Sequence, residues 1–295
     1  MDLRMDEAVP LAAALVSRVA EDHAVRALIL KGPPATELGI RSQRPSSDVD
    51  LLVERDSLPV MVEALSQRGW RRRPTTHDGE HPLHSVTMYH PQWPSDIDVH
   101  YAYPGLESQD SSVFEALWER RRSTTLGARA VWALDPTATY LIQALHALRE
   151  HNKPINISER RFLISEAPRP DWEDLRDLAQ RTGSLGPLRA FAREAYPNAD
   201  RGTFPAPSLE WLRRTEVTEP GVFRLLHLHS LPWARRPKYV LQGLFPSREQ
   251  LAATDLRLLD APARTLALAR LRRIARFAMR LPSAGRQWME QRRQR

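Results

Sequence analysis

The sequence predicts an α+β fold, with a mixed sheet and helices over residues 1–135 and a mostly helical domain over residues 136–295. The first part contains short apolar runs of strand length, interrupted by Gly and Pro turns. After Asp135-Pro136 the apolar residues recur at helical spacing, and hardly a strand pattern remains. A chain of 295 residues also exceeds the roughly 100–200 residues of one domain, so two domains are expected.

Each part has its own series of predicted elements. In the first part they are a helix over 6–23, a strand over 25–30, a helix from 33 to about 39, a strand over 48–53, a helix over 58–68, strands over 70–74, 85–90 and 96–101, a helix over 113–122, and a hairpin over 123–134 that turns at Gly127. The second and third of the three consecutive strands are joined by a short Pro-containing turn and should pair antiparallel. Helices are predicted over 137–150, 172–182, 185–196, 208–214, 222–228 and 264–280.

The composition excludes several classes of protein. The chain has no cysteine, so disulfides, thiolate zinc sites and cysteine nucleophiles are excluded. No apolar run approaches the ~20 residues of a membrane-spanning helix. The apolar run over 10–16 follows acidic residues and lacks the basic segment that begins a signal peptide. We therefore expect a cytoplasmic protein without a transmembrane segment.

The positive charge is concentrated near the end of the sequence. Residues 262–295 contain ten Arg and one Glu, a net charge of +9, which leaves −2 for the other 261 residues and +7 in total. Arg residues interleave with Leu, Ile and Phe over 266–280, which predicts an amphipathic basic helix. Either this helix packs with a solvated Arg face, or it contacts an acidic peptide, RNA or an anionic membrane. Residues 287–295 are expected to be frayed.

Two aspartates on the strand over 48–53 form the centre of the candidate site. Asp48 and Asp50 are two residues apart, so their side chains project from the same face of the strand. Their neighbours are of buried types, and two inward-facing carboxylates repel each other unless a positive group lies between them. Carboxylate oxygens of this kind suit Mg²⁺ or Mn²⁺. The alternative is a surface strand that carries Asp-x-Asp without a metal.

A third carboxylate is predicted on the strand over 96–101. Asp98 lies between Ile97 and Val99, on a strand that could neighbour the first one. Asp96 has the same parity and is the alternative, although an Asp that follows Ser95 at a strand entry is typical of a turn cap. We therefore predict Asp48, Asp50 and Asp98 as the metal-binding and catalytic residues.

Lys31-Gly32 is the candidate phosphate-binding turn. A strand that runs into Gly and then into a helix can present free backbone N–H groups to a phosphate, and Lys31 can add a positive charge. The alternative is a plain strand-to-helix turn with a surface lysine.

These segments together resemble the DNA polymerase beta-like nucleotidyltransferase superfamily. More closely, Lys31-Gly32, Arg44 four residues before Asp48, and Asp98-Val99-His100 resemble the bacterial family of largely uncharacterised nucleotidyltransferases. The resemblance touches most of the chain, but only 31–53 and 97–100 are specific. In one respect the sequence departs from the superfamily, whose usual Gly-Ser is Gly32-Pro33 here. Proline supplies neither an N–H nor a hydroxyl, so phosphate binding must depend on Gly32, Lys31 and the helix end.

The resemblance implies a metal-dependent transfer of a nucleoside monophosphate to a hydroxyl on a small molecule, peptide or protein, with release of pyrophosphate. AMP is the expected group and ATP the expected donor. Mg²⁺ or Mn²⁺ would be held by the three aspartates, and Lys31 and Gly32 would hold the leaving phosphates. Arg44 would contact phosphate or brace Asp48. His100 would orient Asp98 or be a core histidine bonded to backbone.

Two other functions are weighed against this one. A toxin-like enzyme would add nucleotides to tRNA and use the basic C-terminal segment as its RNA contact. A catalytically silent nucleotide-binding scaffold would explain the Pro33 departure, but such a protein has no need for three converging acids.

The remaining polar motifs have mainly structural interpretations. His77, His81, His84 and His90 match no standard zinc spacing and are interpreted as residues of a solvated hairpin. His146, in the middle of a predicted helix, is interpreted as packed and hydrogen-bonded, or else as reaching the nucleotide. Asp171-Trp172 is interpreted as a helix N-cap followed by a core anchor.

Overall fold

The computed structural model describes residues 3–74, 83–149, 151–199, 202–216, 228, 231–276 and 279. The described residues divide into two compact units. The first comprises those up to Arg72 and from Leu83 to Thr215, and the second comprises residues 73–74 and those from 216 onward. Strands give way to helices at Asp135, within the first unit. The assignment of catalysis to residues 1–135 and of a separate domain to residues 136–295 stays a prediction.

A mixed sheet of seven strands, counted over the described residues, forms the centre of the first unit. The strands are β1 (Ala27–Ile29), β2 (Asp48–Val53), β3 (Arg71–Arg72), β4 (Ser85–Tyr89), β5 (Asp96–His100), β6 (Arg121–Leu126) and β7 (Arg129–Leu134). Their spatial order is β3-β4-β5-β2-β1-β7-β6. β2 pairs with β5 and β1 with β7 in parallel, and the other pairs are antiparallel. The α+β class, the β4–β5 pair and the hairpin at Gly127 are thus confirmed.

Helices cover both faces of this sheet. In the first unit they are α1 (Met5–Asp22), α2 (Pro33–Glu37), α3 (Leu58–Ser66), α4 (Asp110–Glu119), α5 (Pro136–Leu148), α6 (Pro154–Ser165), α7 (Trp172–Arg181), α8 (Leu185–Ala195) and α9 (Leu209–Glu216). A short 3₁₀ turn lies at Arg55–Ser57 in the first unit, and two more lie at Trp233–Arg235 and Leu256–Leu258 in the second. Asp171 caps α7, accepting from the Glu173 N–H at 2.9 Å, and Trp172 is buried, as predicted.

The second unit contains α10 (Arg236–Leu244), α11 (Arg248–Ala252) and α12, described over 263–276. Leu251, Ala261 and Leu266 form a small apolar core there. The predicted helix over 264–280 is therefore borne out as far as residue 276, whereas α10 and α11 were not predicted. The predicted frayed segment over 287–295, the predicted helix over 222–228 except for residue 228, and His77 and His81 lie outside the described residues.

Two apolar cores lie on opposite faces of the sheet. Val49, Leu51 and Val53 of β2 belong to a core shared with α1 and α3. Leu52 and the strand residue Leu28 belong to the other core, which is shared with α4, α5, α7 and α8. Because side chains alternate along a strand, Asp48 and Asp50 project to the same side as Leu52. The two aspartates thus face the helices that follow the sheet.

The sequence patterns missed α6 altogether. It begins at Pro154 and exposes Ile155 and Ile157, which are 44% and 45% accessible. Apolar residues on the solvent side obscure the helical period, so the segment had no amphipathic signature. This omission matters because α6 contributes a buried glutamate beside the candidate site.

Candidate active site

The parallel pairing of β2 with β5 brings the predicted aspartates together. The register places Asp50 opposite Asp98 and Asp48 opposite Asp96. Neighbouring residues in register lie on one face of a sheet, so the face carries two pairs of acidic residues. Asp98 is thus the immediate neighbour of Asp50.

Asp50 is the anchored member of this group. Its side chain is 4% accessible, and its Oδ1 accepts from Lys31 Nζ at 3.1 Å and from His100 Nε2 at 3.0 Å. Burial alone would raise the pKa of Asp50, but the Lys31 ammonium and the His100 hydrogen bond outweigh it and hold the pKa well below its usual range. Burial likewise lowers the pKa of Lys31, and the charge of Asp50 outweighs it, so that this pKa is raised. Both groups are therefore charged at neutral pH.

Asp98 has an oxygen atom without a partner. Its Oδ1 is buried and forms no hydrogen bond within the described part of the chain. One ligand atom from each of Asp50, Asp98 and His100 lies within 4.8 Å of the other two. A buried carboxylate oxygen without a donor, next to a second carboxylate, suits a hard cation such as Mg²⁺. Asp98, rather than Asp96, belongs to this group.

Asp48 lies beside the group and not inside it. It is half-buried, and the Ser47 hydroxyl donates to its Oδ1 at 3.3 Å. Burial raises the pKa of Asp48, the negative charges of Asp50 and Asp98 raise it further, and Lys31 opposes the rise. Asp48 is thus close enough to the other two acids to be repelled by them, and a bound cation would relieve that repulsion.

An open cleft lies directly against these aspartates. Its volume is about 150 Å³, which is smaller than the roughly 300–1,000 Å³ of a typical small-ligand site. The residues that line it are all polar or charged apart from one glycine: Lys31, Gly32, Arg41, Arg44, Ser46, Ser47, Asp48, Asp50, Gln143 and His146. Three of these side chains are cationic and two are carboxylic acids. Such a lining suits a polyanion bound together with a cation.

The phosphate turn differs from the prediction in one respect. Gly32 has a φ of +86°, which favours glycine, and it lines the cleft next to Lys31 as expected. The backbone N–H groups that follow it are not available. Pro33 and Pro34 have none, and the N–H groups of Ala35 and Thr36 donate to the Gly32 carbonyl at 3.1 and 3.2 Å. The expectation that the end of α2 would hold a phosphate is therefore wrong.

A buried arginine that the sequence patterns missed organises the loop between α2 and β2. Arg41 is 7% accessible and donates to the Ser46 hydroxyl at 3.1 Å and to the Arg44 and Pro45 carbonyls, both at 3.3 Å. These bonds fix the loop that carries Arg44, Ser46 and Ser47 to the cleft. No sequence signal distinguished Arg41, because its partners are carbonyl and hydroxyl groups rather than an acidic side chain.

Arg44 and His100 have partners other than those predicted. Arg44 forms an ion pair with Glu159 of α6, which is buried, and not with Asp48. His100 Nε2 donates to Asp50, and not to Asp98, and its ring packs against Tyr103 at a centroid distance of 5.8 Å. The predictions that Arg44 braces Asp48 and that His100 orients Asp98 are therefore wrong, since Arg44 pairs with Glu159 and His100 with Asp50. Arg44 still lines the cleft, so contact with phosphate stays a prediction.

Helix α5 closes the cleft with two polar side chains, Gln143 and His146. His146 Nδ1 lies 2.7 Å from an Arg149 guanidinium nitrogen, and its Nε2 lies 3.7 Å from Glu159. Burial and the positive charges of Lys31 and Arg149 hold the pKa of His146 well below its usual range, so the ring is neutral. Gln143 was not predicted as a site residue. The sequence does place it three residues before His146 in an otherwise apolar helix, a spacing that puts both side chains on one face.

Several solved structures are similar to this chain at low sequence identity. No curated protein matches the sequence. A nucleotidyltransferase-like antigenic protein from Paracoccidioides brasiliensis is 14% identical, with a TM-score of 0.42 and coverage of 66% of this chain and 94% of its own. The antibiotic-resistance factor ANT(2'')-Ia is 15% identical, with a TM-score of 0.35 and coverage of 64% and 91%. A tRNA nucleotidyltransferase solved with primer tRNA and an ATP analogue is 15% identical, with a TM-score of 0.25 and coverage of 92% and 98%. At TM-scores this low, none of these proteins bears on the function of this chain.

None of the helices in the described part of the chain has the length and hydropathy of a membrane-spanning segment.

A family model described as uncharacterised nucleotidyltransferase matches residues 10–195, well over half of the 295. That span contains every predicted site residue, and it confirms the resemblance seen in the sequence. The chain therefore belongs to the uncharacterised nucleotidyltransferase family and is an enzyme of the nucleotidyltransferase class.

Proposed function

We propose that this enzyme transfers a nucleoside monophosphate, with ATP as the donor, to a hydroxyl of an acceptor molecule. The acceptor oxygen forms a bond to the α-phosphorus, the bond from that phosphorus to the bridging oxygen breaks, and pyrophosphate leaves with the bridging oxygen. The acceptor loses its hydroxyl proton to solvent. The observation that carries this proposal is the in-register pair Asp50–Asp98 beside Asp48, at the wall of a basic cleft.

The donor set fits a divalent cation. Asp48, Asp50 and Asp98 would hold Mg²⁺ or Mn²⁺, which when bound neutralises phosphate charge and makes an acceptor hydroxyl easier to deprotonate. Asp98 supports this assignment with its unpartnered Oδ1, and Asp48 with a raised pKa that a cation would correct. Without a cation, Asp48 would have only the Ser47 hydroxyl and the charge of Lys31 to oppose its neighbours, and Asp98 Oδ1 would have no partner among the described residues.

The remaining residues of the cleft would bind and orient the triphosphate. Lys31 and Arg44 supply positive charge on the side of the cleft next to Gly32. Arg41 keeps the loop of Arg44 and Ser46 in place through bonds to loop atoms. In a transfer of this kind, positioning and charge neutralisation do most of the catalysis.

Thermal unfolding with ATP, GTP, CTP and UTP, each with and without Mg²⁺, tests the proposal. A ligand present at 100 times its Kd stabilises the native state by about 2.7 kcal/mol, a shift of about 5 °C or more for a protein of this size. We expect such a shift for ATP with Mg²⁺, and we expect it to disappear in Asp98→Asn. The exposed Asp177→Asn on α7 is the matched control. If no nucleotide shifts the wild type at millimolar concentration, the silent scaffold becomes the better interpretation.

The acceptor can be identified with α-labelled ATP. Incubation with total small molecules, with proteins and with tRNA distinguishes the three acceptor classes by where the label moves. The prediction that the basic segment 262–295 contacts RNA is tested in the same assay. Its deletion should abolish labelling of tRNA and leave labelling of a small molecule unchanged if only the RNA contact depends on it.

A further inference from the structure

We infer that Gln143 of α5 binds the polyphosphate of the donor nucleotide and replaces the backbone N–H groups that α2 cannot supply. This inference rests on the proposed function, since it names a residue of the same site. It concerns a side chain that neither the sequence motifs nor the family resemblance singled out.

Gln143 is a buried amide without a partner. It is 3% accessible and lines the cleft, and its Nε2 forms no hydrogen bond to any described residue. Burying an amide without a hydrogen bond costs free energy, and such groups are rare in folded proteins. A buried amide on the wall of a cleft next to three acids is thus explained by a ligand that supplies the missing acceptor.

The other polar side chains of α5 show that this helix does not tolerate unsatisfied groups in general. Each has a partner: Thr137 donates to Asp174 at 2.6 Å, Thr139 to the Leu134 carbonyl at 3.2 Å, Tyr140 to the Leu163 carbonyl at 2.9 Å, and His146 is bonded to Arg149. Gln143 is therefore the exception on its helix, and it is the exception that faces the cleft.

The composition of the cleft favours phosphate as the partner of Gln143. Its lining contains three cationic side chains and no aliphatic one, and its one aromatic ring is the imidazole of His146. The N–H groups of Ala35 and Thr36 are already bonded to Gly32, and the two preceding residues are prolines. Apart from the N–H of Gly32 itself, a phosphate at this turn must therefore find its hydrogen-bond donors outside α2, and the Gln143 amide is one whose Nε2 has no partner among the described residues.

Isothermal titration of the full chain with Mg²⁺-ATP and with Mg²⁺-inorganic triphosphate tests this inference. The variant is Gln143→Met, which keeps the volume of the side chain and removes the amide. We expect the affinity for both ligands to fall by about the same factor, about 10-fold to 100-fold, as for the loss of a hydrogen bond to a charged group. The unliganded variant should be at least as stable as the wild type, because an unsatisfied amide has been removed from the interior.

The matched control is Gln180→Met on the exposed side of α7, which should leave both affinities unchanged. Gln143→Leu repeats the test with a second apolar side chain if the Met variant does not fold. A loss of affinity for ATP alone would place Gln143 against the nucleoside and overturn the inference, as would unchanged affinity for both ligands. A wild type that binds neither ligand would instead overturn the proposed function itself.

Discussion

The two faces of β2 serve opposite purposes. On one face, Val49, Leu51 and Val53 are almost completely buried against α1 and α3. On the other face, Asp48 and Asp50 meet the acids of β5 at the wall of a polar cleft. The apolar face stabilises the strand. The parallel register with β5 then holds Asp50 next to Asp98, although the two carboxylates repel each other. Substitutions on the two faces should therefore affect stability and ligand binding in different ways.

The acids themselves divide into an anchored one and two unsupported ones. Asp50 is held by Lys31 and His100, whereas Asp98 has an unpartnered oxygen and Asp48 is repelled by its neighbours. Three residues of one chemical type on one face thus differ in what they do for the unliganded protein.

The largest effect is expected for Asp50→Asn. It removes the carboxylate that pairs with Lys31, whose side chain is 15% accessible, and breaking a buried pair costs about 3–5 kcal/mol of unfolding free energy. Urea unfolding measures this loss, with the exposed Asp177→Asn as the control. A loss below about 1 kcal/mol would mean that Lys31 finds another partner and that Asp50 is not the anchor.

On the apolar face, Leu51→Ala should reduce the unfolding free energy by about 2–5 kcal/mol, because Leu51 is 0% accessible and the substitution leaves a cavity. The half-exposed Val60→Ala on α3 is the control and should cost far less. Below its melting temperature the Leu51 variant should still show the Mg²⁺-dependent shift with nucleotide. Loss of that shift in a folded variant would show that the two faces are not separable.

Asp98→Asn should have the opposite sign in the absence of ligand. It removes a negative charge from beside Asp50 and leaves the Asp50 contacts intact, so we expect a stabilisation of about 0.5–2 kcal/mol. The same variant should lose the Mg²⁺-dependent response to nucleotide. The unfolding free energy without ligand should thus increase, while the melting shift produced by nucleotide with Mg²⁺ should disappear. A destabilised variant would contradict this account.

The smallest effect is a pH dependence in Asp48→Asn. The pKa of Asp48 is higher in the folded state than in the unfolded state. The native state therefore loses stability as the pH rises from the unfolded pKa to the folded pKa, because Asp48 ionises more easily in the unfolded chain. Above the folded pKa the Asn variant should therefore be more stable than the wild type. The difference should vanish as the pH falls below the unfolded value of about 3.9. Parallel unfolding curves from pH 3 to pH 8 measure it, and a constant difference over that range would contradict the assigned cause.

The response of Asp50 to pH has the opposite sign. Its folded-state pKa is lowered, so its contribution to stability is present above the unfolded pKa and is lost as the pH falls through the folded value. Acid destabilisation of the wild type in that range should be weaker in Asp50→Asn. Comparing this variant with Asp48→Asn thus separates the anchored acid from the unsupported one by the sign of the pH dependence.

Local patterns in the sequence were enough to predict several elements of this protein. The α+β class, the Asp-x-Asp strand, the β4–β5 pair and the Asp171 cap follow from hydrophobic period, turn residues and motif spacing, whereas the family was indicated by a resemblance and is shown by the family model. These features depend on neighbours in the chain, and such information is local.

Which side chains meet depends on the three-dimensional packing of the elements. The register of β2 against β5 joins residues almost 50 positions apart and selects Asp98 rather than Asp96 as the neighbour of Asp50. The same holds for Glu159 on the unpredicted α6, for Arg41 with its loop partners, and for the unpartnered amide of Gln143. The physical reason is that hydrogen-bond satisfaction and charge compensation depend on three-dimensional packing, which the spacing of residues along one chain does not encode.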